Sequence, residues 1–112
     1  MEIETDPRTV HQVVVRVAGR LDADTCHLLR EHLSALAQRD IRRVTLDMSL
    51  VSFLDSSGLS VLVSGLKSLR QVGGGLNLAA TRSQARTALR LTLLDTILPI
   101  FDTVDEAVIA FG

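Results

Sequence analysis

An α/β domain built on a mostly parallel sheet is what this sequence predicts, and three observations carry the prediction. Short β-branched runs alternate along the chain with longer segments in which leucine recurs at helical spacing. The breaks between them fall at glycine, proline and capping residues. The length, 112 residues, suits one compact domain over 1–112. Alternation of strand and helix demands a largely parallel sheet with helices packed on it. The expected form is a mixed, mostly parallel sheet of four to five strands with about four helices.

Val13-Val14-Val15-Arg16-Val17 is short and β-branched, which predicts the first core strand. Met1 to Thr9 is available as one further edge strand. Gly19 to Asp22 forms a turn, and Asp22 or Asp24 fits the N-cap of a helix over about Ala23–Arg39. Cys26, Leu29, Leu33 and Leu36 form its apolar stripe, and Asp40 ends it. Val44, Leu46 and Met48 alternate with Thr45 and Asp47 in a second strand, with Ser49 to Asp55 as the connection that follows. A helix from about Ser57 to Val72 then buries Leu59, Leu62, Leu66 and Leu69, and Gly73-Gly74-Gly75 stops it. Leu76, Leu78 and the alanines after them make a third short strand. Ser83 caps a helix over about Gln84–Leu91. Pro99 marks Leu98 to Phe101 as an edge strand, and Asp102 or Thr103 caps a last helix, Val104–Ala110.

Composition narrows the function. Hydrophobic residues make up 46% of the chain, aromatics only 3%, and there is no Trp or Tyr. The core is therefore aliphatic, and a surface that stacks nucleic-acid bases is not expected. A net charge of −1 leaves no electrostatic footprint for nucleic acid or an anionic membrane. One cysteine, Cys26, excludes an internal disulfide and fits a reducing compartment. The polar start of the chain does not read as a signal peptide, and no apolar run approaches a membrane span. A cytoplasmic location is the expectation.

Leu54-Asp55-Ser56-Ser57-Gly58-Leu59 is the segment with chemical content. Ser56 or Ser57 fits an N-cap, Gly58 lets another backbone approach closely, and Leu59 begins the buried stripe. The hydroxyls thus sit on a rigid support at the positive end of a helix, where a phosphate can be received.

Ser52 to Leu59 resembles the signature of STAS domains, in particular bacterial anti-sigma-factor antagonists. Val17-Ala18-Gly19-Arg20-Leu21-Asp22, Val44-Thr45-Leu46-Asp47, Gly73-Gly74-Gly75-Leu76 and Phe101-Asp102-Thr103-Val104-Asp105-Glu106-Ala107 resemble other segments of that family in the same order. One departure stands at Thr92-Leu93-Leu94-Asp95, where Leu93 replaces a frequent glycine, far in sequence from the serines. The resemblance implies a partner switch. The unphosphorylated chain binds an anti-sigma factor that is also a serine kinase and frees a sigma factor. Phosphorylation of Ser56 ends the binding, and a PP2C-type phosphatase dependent on Mn²⁺ or Mg²⁺ reverses it. Asp22 is then a residue that contacts the partner or positions Ser56, beside its simpler role as N-cap. Asp55, Ser57, Gly58, Ser60 and Val61 complete the expected partner face. The chain itself is expected to be no enzyme, to need no cofactor or metal, and to be a monomer or weak dimer.

Other chemistries find little support. Leu54 stands where a G-x-S-x-G hydrolase has its first glycine, and His11, His27 and His32 show no triad spacing. Gly65-Leu66-Lys67-Ser68 lacks the lysine directly after glycine that a phosphate-binding loop needs. His27 and His32 are not spaced as metal ligands on one helix face. The remaining alternative is a STAS-type structural subunit of a transport or stress-signalling complex, which docks without a phosphorylation cycle.

Overall fold

Val13, Val15 and Val17 point to one side of their strand, and Gln12, Val14 and Arg16 to the other; this alternation organises the molecule. In the computed structural model, which describes residues 1–112, the strand is β2, Gln12–Leu21. It is flanked by β1, Glu2–Thr9, and β3, Arg43–Leu54, and the sheet continues with β4, Gly75–Ala79, and β5, Ile100–Phe101. The spatial order is β1-β2-β3-β4-β5, with β1 antiparallel and every other pair parallel. The five-stranded mixed sheet and four helices agree with the sequence reading, and Met1 to Thr9 supplies the extra edge strand.

Helices α1 (Cys26–Gln38), α2 (Ser56–Gln71) and α3 (Ser83–Leu91) each cross from one parallel strand to the next. Right-handed crossovers that step in one direction put them on the same face. There Val13, Val15, Val17, Val44, Leu46 and Met48 of the sheet meet the buried leucines of the helices in one aliphatic core. Cys26 lies within it as a buried free thiol.

The other face is held by polar contacts. Helix α4, Val104–Ala110, is only two turns long and buries a single alanine, Ala107. The Thr45 hydroxyl donates to Asn77 Oδ1 at 2.7 Å, and Asn77 Nδ2 donates to the Ala107 carbonyl at 2.8 Å. Gln12 Nε2 donates to the Val108 carbonyl at 3.1 Å. Asn77 and Thr45 are fully enclosed, so each hydrogen bond also removes a desolvation penalty.

Several element ends differ from the sequence reading. Helix α1 starts at Cys26 with Thr25 as N-cap, not at Ala23 behind Asp22 or Asp24. The Asp22 carboxylate instead accepts from the Asp24 N–H and the Thr25 hydroxyl and closes its own turn, a local bond that competes with capping. Strand β3 does not stop at Met48; it continues to Leu54 through two irregularities in its register with β2. Ser83 is the first residue of α3 rather than its cap, which is Arg82. Helix α2 ends as its glycines predict: Gly73 has φ +80°, its N–H donates to Arg70, and the Gly74 N–H donates to Leu69.

No helix is long and apolar enough to cross a membrane.

The polar lock on α4 gives a direct prediction. Asn77→Leu strands the Thr45 hydroxyl and the Ala107 carbonyl in a dry environment. Urea unfolding is expected to show a loss of about 2–3 kcal/mol; an unchanged midpoint would mean that α4 docks without this bridge.

Candidate functional site

Asp55 sets the geometry of the site. It has extended backbone angles, and its Oδ1 accepts from the Gly58 N–H at 3.0 Å. The carboxylate therefore caps α2, and neither Ser56 nor Ser57 does, in contrast to the sequence reading. Both residue types cap well; Asp55 wins because Ser56 is already helical. Ser56 is thereby left exposed at the first helical position with its hydroxyl uncommitted to the cap. The N–H groups of this first turn have no partner further along the helix.

Beneath the serines, the support is rigid. An atom at the Cβ position of Gly58 would lie 2.4 Å from the Leu21 carbonyl and 2.5 Å from Leu54 Cδ1. Only glycine permits α2 to start this close to the end of β2. The Asp55 N–H donates to the same Leu21 carbonyl at 3.4 Å. Leu21, Leu54, Leu59 and Val61 are all buried around this point.

The sequence-predicted residues fall into two groups. Ser56 and Ser60 are exposed, Asp55 and Ser57 half-buried, and the Ser60 hydroxyl donates to the Ser56 carbonyl at 3.0 Å. These four form one continuous surface at the start of α2. Gly58 and Val61 are buried; Val61 has no exposed surface. Val61 therefore lies beneath the face and offers no contact area in this conformation.

Asp22 sits beside that surface through Leu21, its neighbour in the chain. Its carboxylate accepts from Arg20 Nε at 3.2 Å, from the Asp24 N–H at 3.0 Å and from the Thr25 hydroxyl at 3.2 Å. Burial acts to raise its pKa, but these hydrogen bonds, led by that from Arg20, outweigh it, and the carboxyl lies below its usual range. Asp22 thus carries a fixed negative charge near the serines. Arg20 also lies over the Phe53 ring, 4.4 Å from its centroid, which ties the turn to the end of β3.

Two features were not legible in the sequence. Ser56, Ser60, Ser64 and Lys67 share a shallow groove of about 420 Å³ with Thr92 and Leu94. The segment around Leu93, far from the serines in sequence, is close to them in space. Leu93 itself takes the left-handed conformation at φ +61° while 69% exposed. Leucine occupies that region at a cost of about 1 kcal/mol, so the turn keeps the shape a glycine would give it. The second feature is Gln84, whose amide pairs with the main chain of Leu54.

His32 Nε2 lies 2.7 Å from the Thr5 hydroxyl and His11 Nδ1 2.9 Å from the Asp40 carbonyl, so both histidines are engaged elsewhere. Burial lowers the His32 pKa. No three His, Cys, Asp or Glu side chains converge.

Comparison with known proteins places this geometry in context. The family model described as STAS domain matches residues 1–107. The anti-sigma-B factor antagonist of Listeria monocytogenes is 31% identical over 106 residues, spanning 95% of this chain and 93% of that protein. The crystal structure of an anti-sigma factor antagonist from Mycobacterium paratuberculosis superposes with a TM-score of 0.84 at 28% identity, covering 98% and 94% of the two chains. The Bacillus cell fate determinant SpoIIAA, solved in its phosphorylated form, has a TM-score of 0.78 at 22% identity and covers 99% and 100%. At that identity the likeness is one of fold.

The tight seat of Gly58 is testable. In an open helix Gly→Ala stabilises by nearly 1 kcal/mol. Here Gly58→Ala is expected to destabilise by about 2–3 kcal/mol in chemical denaturation, because the methyl meets a backbone carbonyl that cannot yield. A more stable variant would contradict the packing described.

Proposed function

This chain belongs to the STAS domain family, and on that premise we propose that it is an anti-sigma-factor antagonist switched by phosphorylation of Ser56. The unphosphorylated chain binds an anti-sigma factor with serine-kinase activity and so releases a sigma factor. Phosphorylation of Ser56 ends that binding, and a PP2C-type phosphatase dependent on Mn²⁺ or Mg²⁺ restores it. The kinase and metal chemistry belong to the partners; this chain is substrate and ligand. The relatives named above are called anti-sigma factor antagonists, which supports the assignment of class.

The observation that carries the reading is the exposed Ser56 on a helix start seated directly against the end of β2. Phosphorylation adds about −1.5 to −2 charges at pH 7. The new charge falls beside the Asp55 carboxylate, with Asp22 on the neighbouring turn. Asp55 already takes the Gly58 N–H, so the phosphate finds only part of the helix start open to it. A partner that covers this surface must desolvate a cluster of like charges. That loss is worth a few kcal/mol, or about two decades of affinity. The fold beneath does not need to change, because the packing of Gly58 against Leu21 and Leu54, and of Leu59 in the core, lies below the surface. Asp22, Asp55, Ser57 and Ser60 form the partner face around Ser56, with Gly58 and Val61 supporting it from beneath.

The test uses Ser56→Ala and Ser56→Asp chains as baits in host lysate, read by mass spectrometry. The alanine form is expected to capture an ATP-binding, kinase-like protein that the aspartate form loses at least tenfold. That protein should then phosphorylate the wild-type chain at Ser56. Equal capture of a transporter or scaffold by both baits would overturn the switch and leave Ser56 a surface residue of a docking subunit.

A further inference from the structure

Strand β4 leaves β3 early. The last residues they pair are Asp47 and Ala79, while β3 runs on to Leu54. On the β2 side the strand end stays paired despite the shifts in register, with Leu21 opposite Leu54. On the side β4 has vacated, the Leu54 N–H donates to Gln84 Oε1 at 2.9 Å, and Gln84 Nε2 donates to the Leu54 carbonyl at 2.8 Å. A side-chain amide carries the same donor and acceptor as a peptide group. Gln84 therefore fills the place of the missing strand partner with matched geometry.

The support behind Gln84 is firm. It lies in the first turn of α3, and the next residue, Ala85, is buried together with Leu89. Leu54 is followed at once by the cap Asp55 and by Ser56. The strand end is thus gripped from both sides, by the Leu21 carbonyl at the Asp55 N–H and by Gln84 at Leu54.

We propose that Gln84 is a positioning residue for Ser56: its amide completes the free edge of β3 and fixes the direction in which the serine is presented. The role in phosphorylation rests on the reading of Ser56 given above; the ordering of the loop does not. Through this contact α3 and the Thr92–Leu94 segment that follows it are coupled to the serine face.

The experiment compares wild type, Gln84→Met and Gln84→Glu as full chains. Methionine keeps length and approximate volume and removes both hydrogen bonds. Amide hydrogen exchange, followed by NMR, is expected to quicken about tenfold at Leu54, Asp55 and Gly58 in Gln84→Met. Val15, Leu46 and Leu78 in the sheet should be unaffected. Gln84→Glu keeps an acceptor for the Leu54 N–H and should retain protection of that amide. With the kinase captured by the Ser56→Ala bait, Gln84→Met should lower kcat/KM for Ser56 phosphorylation about tenfold, mainly through kcat. Unchanged loop exchange in Gln84→Met would overturn the proposal, as would equal acceleration across the whole sheet, or a looser loop phosphorylated at the wild-type rate. If no kinase is captured, the partner-switch reading fails, and the exchange data still decide whether Gln84 orders the loop.

Discussion

The contact on which the rest of the site depends is the approach of the first turn of α2 to the end of β2. No side chain separates Gly58 from the Leu21 carbonyl, so the helix starts against the sheet itself. From that seat the other features follow. Asp55 is placed to cap the helix, Ser56 to face solvent, and Leu59 and Leu62 to enter the core. A larger residue at position 58 would lift the helix start and lose the cap, the presentation and the packing together.

This arrangement separates what must be stable from what must change. The aliphatic core lies between the sheet and α1, α2 and α3, and the polar bridge of Thr45, Asn77 and Ala107 pins α4 to the opposite face. The Asp55–Ser60 surface adds nothing to that core from its exposed atoms. In the proposed switch, a charge placed on Ser56 acts on what docks there and leaves the fold in place. The negative groups around it, Asp55 and Asp22, are both committed by hydrogen bonds within the chain. Those bonds hold them beside Ser56, and in the proposed mechanism this sharpens the effect of a single added phosphate.

How much of this was legible follows from which physical effects act locally. Hydrophobic period and β-branching located the core strands and helices, because burial acts on each segment through its own pattern. The glycine stop after α2 was equally readable, since only a left-handed residue closes that motif. Caps were harder. Asp22, Asp55, Ser56 and Ser83 are all good capping residues; at the starts of α1 and α2 the outcome depends on where the chain meets Thr25 and Leu21. The extension of β3 to Leu54 was hidden, because its register irregularities break the alternation that marks a strand. Gln84 left no signal at all: it pairs with a backbone thirty positions away. Leu93 was visible as a departure, but its closeness to the serines was not.

The amide NMR spectrum of the chain phosphorylated on Ser56, set against the unmodified chain, tests the central claim most directly. The account predicts shift changes confined to Leu21–Asp24, Leu54–Ser60 and the Thr92–Leu94 side of the groove, with β1, β4 and α4 unmoved. Changes spread through the sheet and α4 would contradict it, because the phosphate would then be acting by altering the fold rather than the charge of one face.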